Sequence, residues 1–226
     1  MHPALVEDPS VGRKLRLLHK KLDACTACPD VVGPVVHGAP VLTDVFLLGQ
    51  APGPHEGDHG RPFAWTAGKT MFKWFEDAMG ASEEQIRACV YFAAVARCFP
   101  GKAKGGGDRV PSAEEIEACG AFLKREVAIL RPRLIVPVGQ LAIGAVLGGE
   151  KRLLVDVIGA ATRATFHGVT ADVIALPHPS GASTWHRVEP GKTLLAKALQ
   201  LLAAHPVMRE ALRRSPGRGA LVSETG

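Results

Sequence analysis

The chain has 226 residues, of which 46% are hydrophobic, so it is long enough to form a single domain around a substantial core. Its net charge of +5 is compatible with a phosphate-rich partner, although a surface with a slight excess of Lys and Arg explains that charge equally well. No apolar run reaches the roughly 18 residues of a membrane span, and residues 1–22 lack the apolar centre of a secretory signal. We therefore expect a cytoplasmic protein that binds no membrane.

Two kinds of hydrophobic pattern alternate along the chain. Helical spacing, with capping boxes that begin at Ser82 and Ser112, predicts amphipathic helices, and the principal helical segments are 11–24, 66–80, 112–130 and 192–204. Continuous apolar runs are typical of buried strands, and they occupy 44–49, 90–96, 133–138 and 172–177.

This order of elements predicts an α/β fold. Four apolar strands separated by helices indicate a three-layer α/β/α arrangement with a central four-stranded parallel sheet. Residues 1–210 are expected to form one domain, and the stretch 211–226, rich in Ser, Gly and Pro, is expected to be a flexible tail.

The segments that follow the four strands are candidates for a functional site. In parallel sheets ligands bind at the carboxyl ends of the strands, so these segments are expected to converge on one edge. They are residues 49–53, Arg97-Cys98, Gly139-Gln140 and 178–180.

Four of the five cysteines suggest a metal site. Cys25 and Cys28 form a C-x2-C pair, Cys98 closes the second strand, and Cys119 lies in the following helix. Four thiolates suit either a zinc ion or an iron–sulfur cluster, and the spacing alone does not choose between them. The other interpretation is that the C-x2-C pair is incidental and the rest are core cysteines, as we expect for Cys89.

Several short motifs together resemble the iron–sulfur uracil-DNA glycosylases of families 4 and 5. The segments similar to the first family motif are Gly49-Gln50-Ala51-Pro52-Gly53, Glu56, Gly60-Arg61-Pro62-Phe63 and Ala67-Gly68. The segments similar to the cluster-binding region and the last motif are Arg97-Cys98, Pro111, Cys119 and His178-Pro179-Ser180. The resemblance extends from about residue 20 to about residue 204.

The resemblance implies a cofactor and a reaction. The cofactor is a [4Fe–4S] cluster bound by Cys25, Cys28, Cys98 and Cys119, which in that family is structural and lies away from the chemistry. The reaction is that of a monofunctional DNA glycosylase of base excision repair, which hydrolyses the N-glycosidic bond of uracil in single- or double-stranded DNA. We expect the enzyme to act as a monomer.

Uracil excision requires a ring that stacks on the extruded base, a donor for the charge that develops on the base, and a placed water. By the resemblance, Phe63 supplies the ring and His178 the donor. Gln50 stands where relatives often carry Glu, and its amide can place a water but cannot take its proton. The backbone from Ala51 to Gly53 is also expected to reach the pocket.

The chain departs from the family at Ala94, where relatives usually carry an Asn that reads the edge of uracil. Recognition is therefore expected to use backbone groups or Gln50. Two alternative functions follow from this departure: a glycosylase for another damaged base such as hypoxanthine or xanthine, or a DNA-binding relative without catalysis.

Residues 181–187 resemble the segment that enters the minor groove. Ser180 and Ser183 are expected to hydrogen-bond DNA phosphates, Trp185 to act as a wedge, and Arg187 to contact the DNA backbone. The alternative for Trp185 is packing on the domain surface. For the polar segment 55–59, the alternatives are that one residue serves as the base or that most of them are solvated. His55 and His59 also have the spacing of a metal-ligand pair, but no helix is expected there.

Overall fold

The structure is a computed structural model that describes residues 9–148 and 152–215. The helices formed by these residues are α1 (Pro9–Asp23), α2 (Glu56–His59), α3 (Thr66–Met79), α4 (Glu83–Cys89), α5 (Ala113–Leu130), α6 (Gln140–Leu147), α7 (Leu154–Val157), α8 (Gly191–Ala204) and α9 (Pro206–Arg214). The strands are β1 (Val45–Gly49), β2 (Tyr91–Ala94), β3 (Leu134–Pro137), β4 (Ala161–Phe166) and β5 (Val169–Ile174). A 3-10 turn covers Trp185–Arg187. None of the described helices combines the length and apolar character that crossing a bilayer requires.

The strands form one sheet in the order β2-β1-β3-β5-β4. The first four of these pair in parallel, whereas β4 pairs antiparallel with β5. The predicted α/β fold is therefore confirmed, but the described sheet has five strands where four were predicted.

The missed strand, β4, lies at the edge of the sheet. It joins β5 through a tight turn at His167 and Gly168, which both have positive φ angles of 47° and 82°. Most of β4 is exposed, so its sequence mixes Thr and Arg with apolar residues and lacks the continuous apolar run of a buried strand.

The two faces of the sheet bury different sets of side chains. In β1, Val45 and Leu47 belong to one core, and Phe46 and Leu48 belong to the other. Helices α3, α4, α8 and α9 pack on the first face, and α1 and α5 pack on the second. This confirms the three-layer arrangement and explains why β1 is apolar at successive positions.

Local signals for helix starts are confirmed, and helices α2, α7 and α9 were not predicted. Ser82 and Ser112 both cap their helices with the reciprocal bonds of a capping box. Helix α9 buries Val207, Met208 and Leu212, so the stretch predicted as a tail begins with the end of a helix. Residues 216–226 of that stretch lie outside the described residues.

Candidate active site

A cavity of about 630 Å³ opens where β1, β2 and β5 end. Strand β1 ends at Gly49 and continues into residues 50–56, β2 ends at Ala94, and the chain beyond β5 brings His178. The lining residues include Gln50, Ala51, Gly53, Glu56, Phe63, Trp65, Ala94, Lys102, Asp108, Arg109, His178, Ser180, Ala182 and Ser183. All six residues predicted to bind the base, and both predicted phosphate-binding serines, therefore lie around one cavity.

The two other residues predicted to contact DNA do not line this cavity. Trp185 is partly buried and packs against the core on the first face of the sheet. Its backbone and ring also lie close to Gly191, where an added Cβ would come within 2.0 Å of the Trp185 carbonyl oxygen. Arg187 is exposed.

Phe63 is held in an unusual backbone conformation, with φ at 54°. Its ring lies over Gly49, where an added Cβ would come within 3.0 Å of the Phe63 Cζ atom. Its carbonyl oxygen packs so closely on Gly68 that a Cβ there would lie 1.7 Å away. The two glycines of the motif are thus required for space beside Phe63.

Arg87 fixes the same turn from outside the cavity. Its Nη1 and Nη2 atoms donate to the carbonyl oxygens of Pro62 and Phe63, each at 3.0 Å. Its Nε atom donates to Glu83 at 2.7 Å, one helical turn earlier in α4. No local signal in the sequence connects Arg87 with Phe63, because the two meet only through the tertiary fold.

His178 carries its proton on the nitrogen that is free to bind a ligand. The backbone N–H of Ser180 donates to Nδ1 at 3.2 Å, which assigns the proton of the neutral ring to Nε2. Burial lowers the pKa of His178, and the charge of His186 also lowers it. The charge of Asp108 raises this pKa, but the net shift is downward. The ring is therefore a neutral donor near pH 7.

The end of β3 contributes to the site by its backbone. Gly139 has a φ angle of 85°, and a Cβ there would lie 3.1 Å from the Cδ2 atom of His178. The neighbouring Gln140 side chain donates instead to the carbonyl oxygen of Arg152, at 2.5 Å. Gly139 therefore supports His178, whereas Gln140 does not line the cavity.

Glu56 is a buried carboxylate that connects two loops. It is only 8% exposed, and the backbone N–H of Gly53 donates to its Oε2 atom at 2.5 Å. Burial raises the pKa of Glu56, while hydrogen bonds from the backbone of Gly53, Phe63 and Ala64 and the charge of Arg87 lower it, with a net upward shift. Its position in the motif marked Glu56 as a candidate, but only the fold distinguishes it from its solvated neighbours.

Of the other polar residues of 55–59, His55 lines the cavity. The rings of His55 and His59 lie 4.7 and 5.8 Å from the ring of Trp65, which is 43% exposed. The two histidines therefore pack around an aromatic side chain. Elsewhere at the cavity, Lys102 and Asp108 form an ion pair of 2.6 Å within the glycine-rich loop, and this pair was not predicted.

The four cysteines of the predicted ligand set influence one another electrostatically. Burial, together with the charges of Cys119, Cys28 and Cys25, raises the pKa of Cys98 to about 11. None of the four lines the cavity. The described part of the chain contains no group of three or more His, Cys, Asp or Glu side chains placed to hold a metal ion. The fifth cysteine, Cys89, is buried in the core on the first face of the sheet.

Comparisons with known proteins agree on one family. The sequence model of the Uracil DNA glycosylase superfamily matches residues 35–203. The Type-4 uracil-DNA glycosylase of Thermotoga maritima is 30% identical over 148 residues, which are 64% of this chain and 72% of that protein. The Type-4 enzyme of Pyrobaculum aerophilum is 28% identical over 172 residues, 74% of this chain and 83% of that protein. The Type-5 uracil-DNA glycosylase of the same organism is 32% identical over 153 residues, 60% of this chain and 61% of that protein.

Proposed function

This chain belongs to the uracil-DNA glycosylase superfamily, and from that membership we propose that it hydrolyses the N-glycosidic bond of uracil in DNA. The observation that carries the proposal is that Phe63 and His178, from distant parts of the sequence, line the same cavity. The names of the relatives favour uracil as the substrate over hypoxanthine or xanthine.

The cavity supplies what the departing base needs. As the glycosidic bond breaks, the sugar becomes cationic and uracil leaves as an anion. Phe63 stacks on the extruded base, and the Nε2–H group of His178 donates to the base oxygen on which negative charge develops. Because the ring of His178 is neutral and its Nδ1 is already engaged by Ser180, the donor is oriented before the substrate binds.

Gln50 and the loop after β1 place the attacking water. The carbonyl oxygen of Gln50 accepts the backbone N–H of Ala96, which anchors this residue to the neighbouring strand end. Its side-chain amide orients the water without removing a proton, as a dissociative reaction allows. The carboxylate of Glu56 accepts a hydrogen bond from the backbone N–H of Gly53 and so fixes the far end of the loop.

DNA reaches the cavity across the loop 180–187. Ser180 and Ser183 line the cavity and lie in one turn, in which the Ser183 N–H donates to the Ser180 carbonyl at 3.0 Å. Their hydroxyl groups are suited to the phosphates beside the extruded nucleotide, and the exposed Arg187 to the backbone further away. Ala182 of the same loop also lines the cavity, whereas Trp185, which was expected to act as the wedge, does not.

Cys25, Cys28, Cys98 and Cys119 would hold the [4Fe–4S] cluster. Two observations support this ligand set. The charges of Cys119, Cys28 and Cys25 all raise the pKa of Cys98, and three of the four thiols are half-buried while Cys119 is buried. A cluster of several iron atoms spreads its thiolates more widely than a single ion does, so it does not need the tight group that the described residues lack. The cluster would cross-link three distant segments of the chain, and it takes no part in the glycosidic step.

An excision assay tests the proposed function. Protein purified without oxygen is incubated with single- and double-stranded oligonucleotides that contain uracil, hypoxanthine or xanthine, and abasic sites are cleaved with alkali. We expect cleavage at uracil, and its loss in the His178→Asn variant. A cluster-loaded preparation that leaves uracil intact in both kinds of DNA would refute the proposal.

A further inference from the structure

Arg97, which follows β2, is a completely buried cation that lacks some of its hydrogen-bond partners. Its side chain is 0% exposed, and its Nη2 atom forms an ion pair with the equally buried Glu126. The Nε and Nη1 atoms of Arg97 are buried without any partner. Because buried N–H groups of a charged side chain are almost always satisfied, these two donors indicate that an acceptor belongs beside them.

The protein groups on the Glu126 side do not provide that acceptor. Tyr91 donates its hydroxyl to Oε1 of Glu126 at 2.8 Å, and Arg97 occupies Oε2. Nε2 of His19 lies 2.8 Å from the Tyr91 hydroxyl and completes a closed chain of buried polar groups. None of these groups forms a hydrogen bond with Nε or Nη1 of Arg97.

On its other side Arg97 adjoins two of the proposed cluster ligands. Its neighbour in the chain is Cys98, and its own backbone N–H donates to the sulfur of Cys119. Apart from Glu126 and Tyr91, Cys119 is the acidic group whose charge acts on the Arg97 guanidinium. The unpaired donors and the cysteine sulfurs thus share one region of the interior.

We propose that Arg97 binds the iron–sulfur cluster itself: its unpaired N–H groups donate hydrogen bonds to cluster or cysteine sulfur atoms, and its charge offsets the negative charge of the cluster. This inference rests on the cofactor proposed above. Hydrogen bonds and nearby charge set the reduction potential of such clusters, and a buried cation favours the form with one more electron. Glu126 opposes this effect, because it returns a negative charge to the same region.

Two variants separate the effect of the charge from that of the buried network. Glu126→Gln keeps an acceptor for Tyr91 and leaves the charge of Arg97 uncompensated. The double variant Arg97→Met with Glu126→Gln differs from Glu126→Gln only by the loss of the Arg97 cation. It leaves no unpaired buried charge at this ion pair. Lys73→Met, which removes an exposed ion pair on α3, is the control for effects of substitution and purification that do not involve the cluster.

The readouts are iron per chain, visible absorbance and the midpoint potential in a redox titration of the full-length protein, with uracil excision measured on the same samples. We expect the potential of Glu126→Gln to be more positive than wild type, and that of the double variant to be more negative than Glu126→Gln, with faster loss of iron in air. If Arg97 had only a structural role, the midpoint potential would not shift in opposite directions in these two comparisons.

The outcomes distinguish this inference from the proposals on which it depends. If the loaded wild-type protein and both variants share one potential, the role of Arg97 is refuted while the cluster and the glycosylase activity stand. If the wild-type protein binds no iron, both the cofactor proposal and this inference are refuted. Failure to excise uracil by a protein that shows the expected shifts would refute the proposed function alone.

Discussion

Gly139 lies directly against the ring of His178, so that a β-carbon at Gly139 would come within 3.1 Å of the Cδ2 atom. Gly139 follows the end of β3 and lies beside the proposed donor. Its φ angle is 85°, which residues with a side chain rarely adopt. The position of the imidazole therefore depends on the absence of a side chain at residue 139.

Gly139→Ala is expected to displace His178 and to lower kcat/KM for uracil excision by about tenfold to 100-fold. Gly168→Ala is the matched control, because Gly168 has a φ angle of 82° but no atom within 4 Å of an added Cβ. Both variants should lose about 1–3 kcal/mol of stability from backbone strain. Equal activity in the two variants would contradict the supporting role of Gly139.

The lowered pKa of His178 predicts a dependence of stability on pH. Below pH 6.5 the unfolded histidine takes up a proton that the folded one does not, so the unfolded state binds more protons. The free energy of unfolding should therefore fall as the pH drops below about 6.5, and this contribution should level off below the folded pKa.

Denaturant unfolding between pH 4 and 7 measures this contribution as the difference between wild type and His178→Asn. The other histidines with a lowered pKa, which are His19 at about 4, His167 and His186, are present in both proteins, so their contributions cancel. Parallel curves for the two proteins would mean that the folded pKa of His178 is not shifted.

Arg87 is expected to act on catalysis through the backbone of Phe63. Replacement by Met removes both donors to the carbonyl oxygens of Pro62 and Phe63. The strained turn should then relax, and kcat/KM should fall by about tenfold or more. Lys, which retains one donor group, should restore part of the activity. Lys73→Met, on the exposed face of α3, should leave the activity unchanged.

Glu56→Gln tests whether one carboxylate holds the two loops together. An amide offers one acceptor oxygen, and its NH₂ group would face backbone donors such as the N–H of Gly53. We expect a loss of about 1–3 kcal/mol in the free energy of unfolding, with reduced excision. Glu76→Gln changes an exposed carboxylate of α3 and is the control. A variant as stable and active as this control would show that Glu56 has no such role.

Ala94→Asn is expected to add a hydrogen bond to the uracil edge. Ala94 lines the cavity at the end of β2, so the new amide would face the bound base. A gain of about 1 kcal/mol in transition-state binding corresponds to about a fivefold rise in kcat/KM. Ala94→Leu has a similar branched shape without the amide and should lower the activity. The idea fails if both substitutions reduce excision equally.

Much of the architecture is encoded in short stretches of sequence. The capping boxes at Ser82 and Ser112 depend on residues three apart, and the buried strands appear as continuous apolar runs. The resemblance of the motifs to a known family likewise predicted that Phe63 and His178 belong to one site, and both line the same cavity. The exposed strand β4 was not predicted, because an edge strand needs no apolar run.

By itself, then, the sequence determined the layer order and the strand ends, because these follow from periodicity and spacing between near neighbours. The residues expected around the base came instead from the resemblance of short motifs to a known family. Only the tertiary structure decided that Trp185 packs on the core, that Arg87 holds the turn of Phe63, and that Arg97 is buried with unpaired donors. Such contacts join residues that are far apart in the chain. Their geometry is set by how whole elements pack, which no local pattern records.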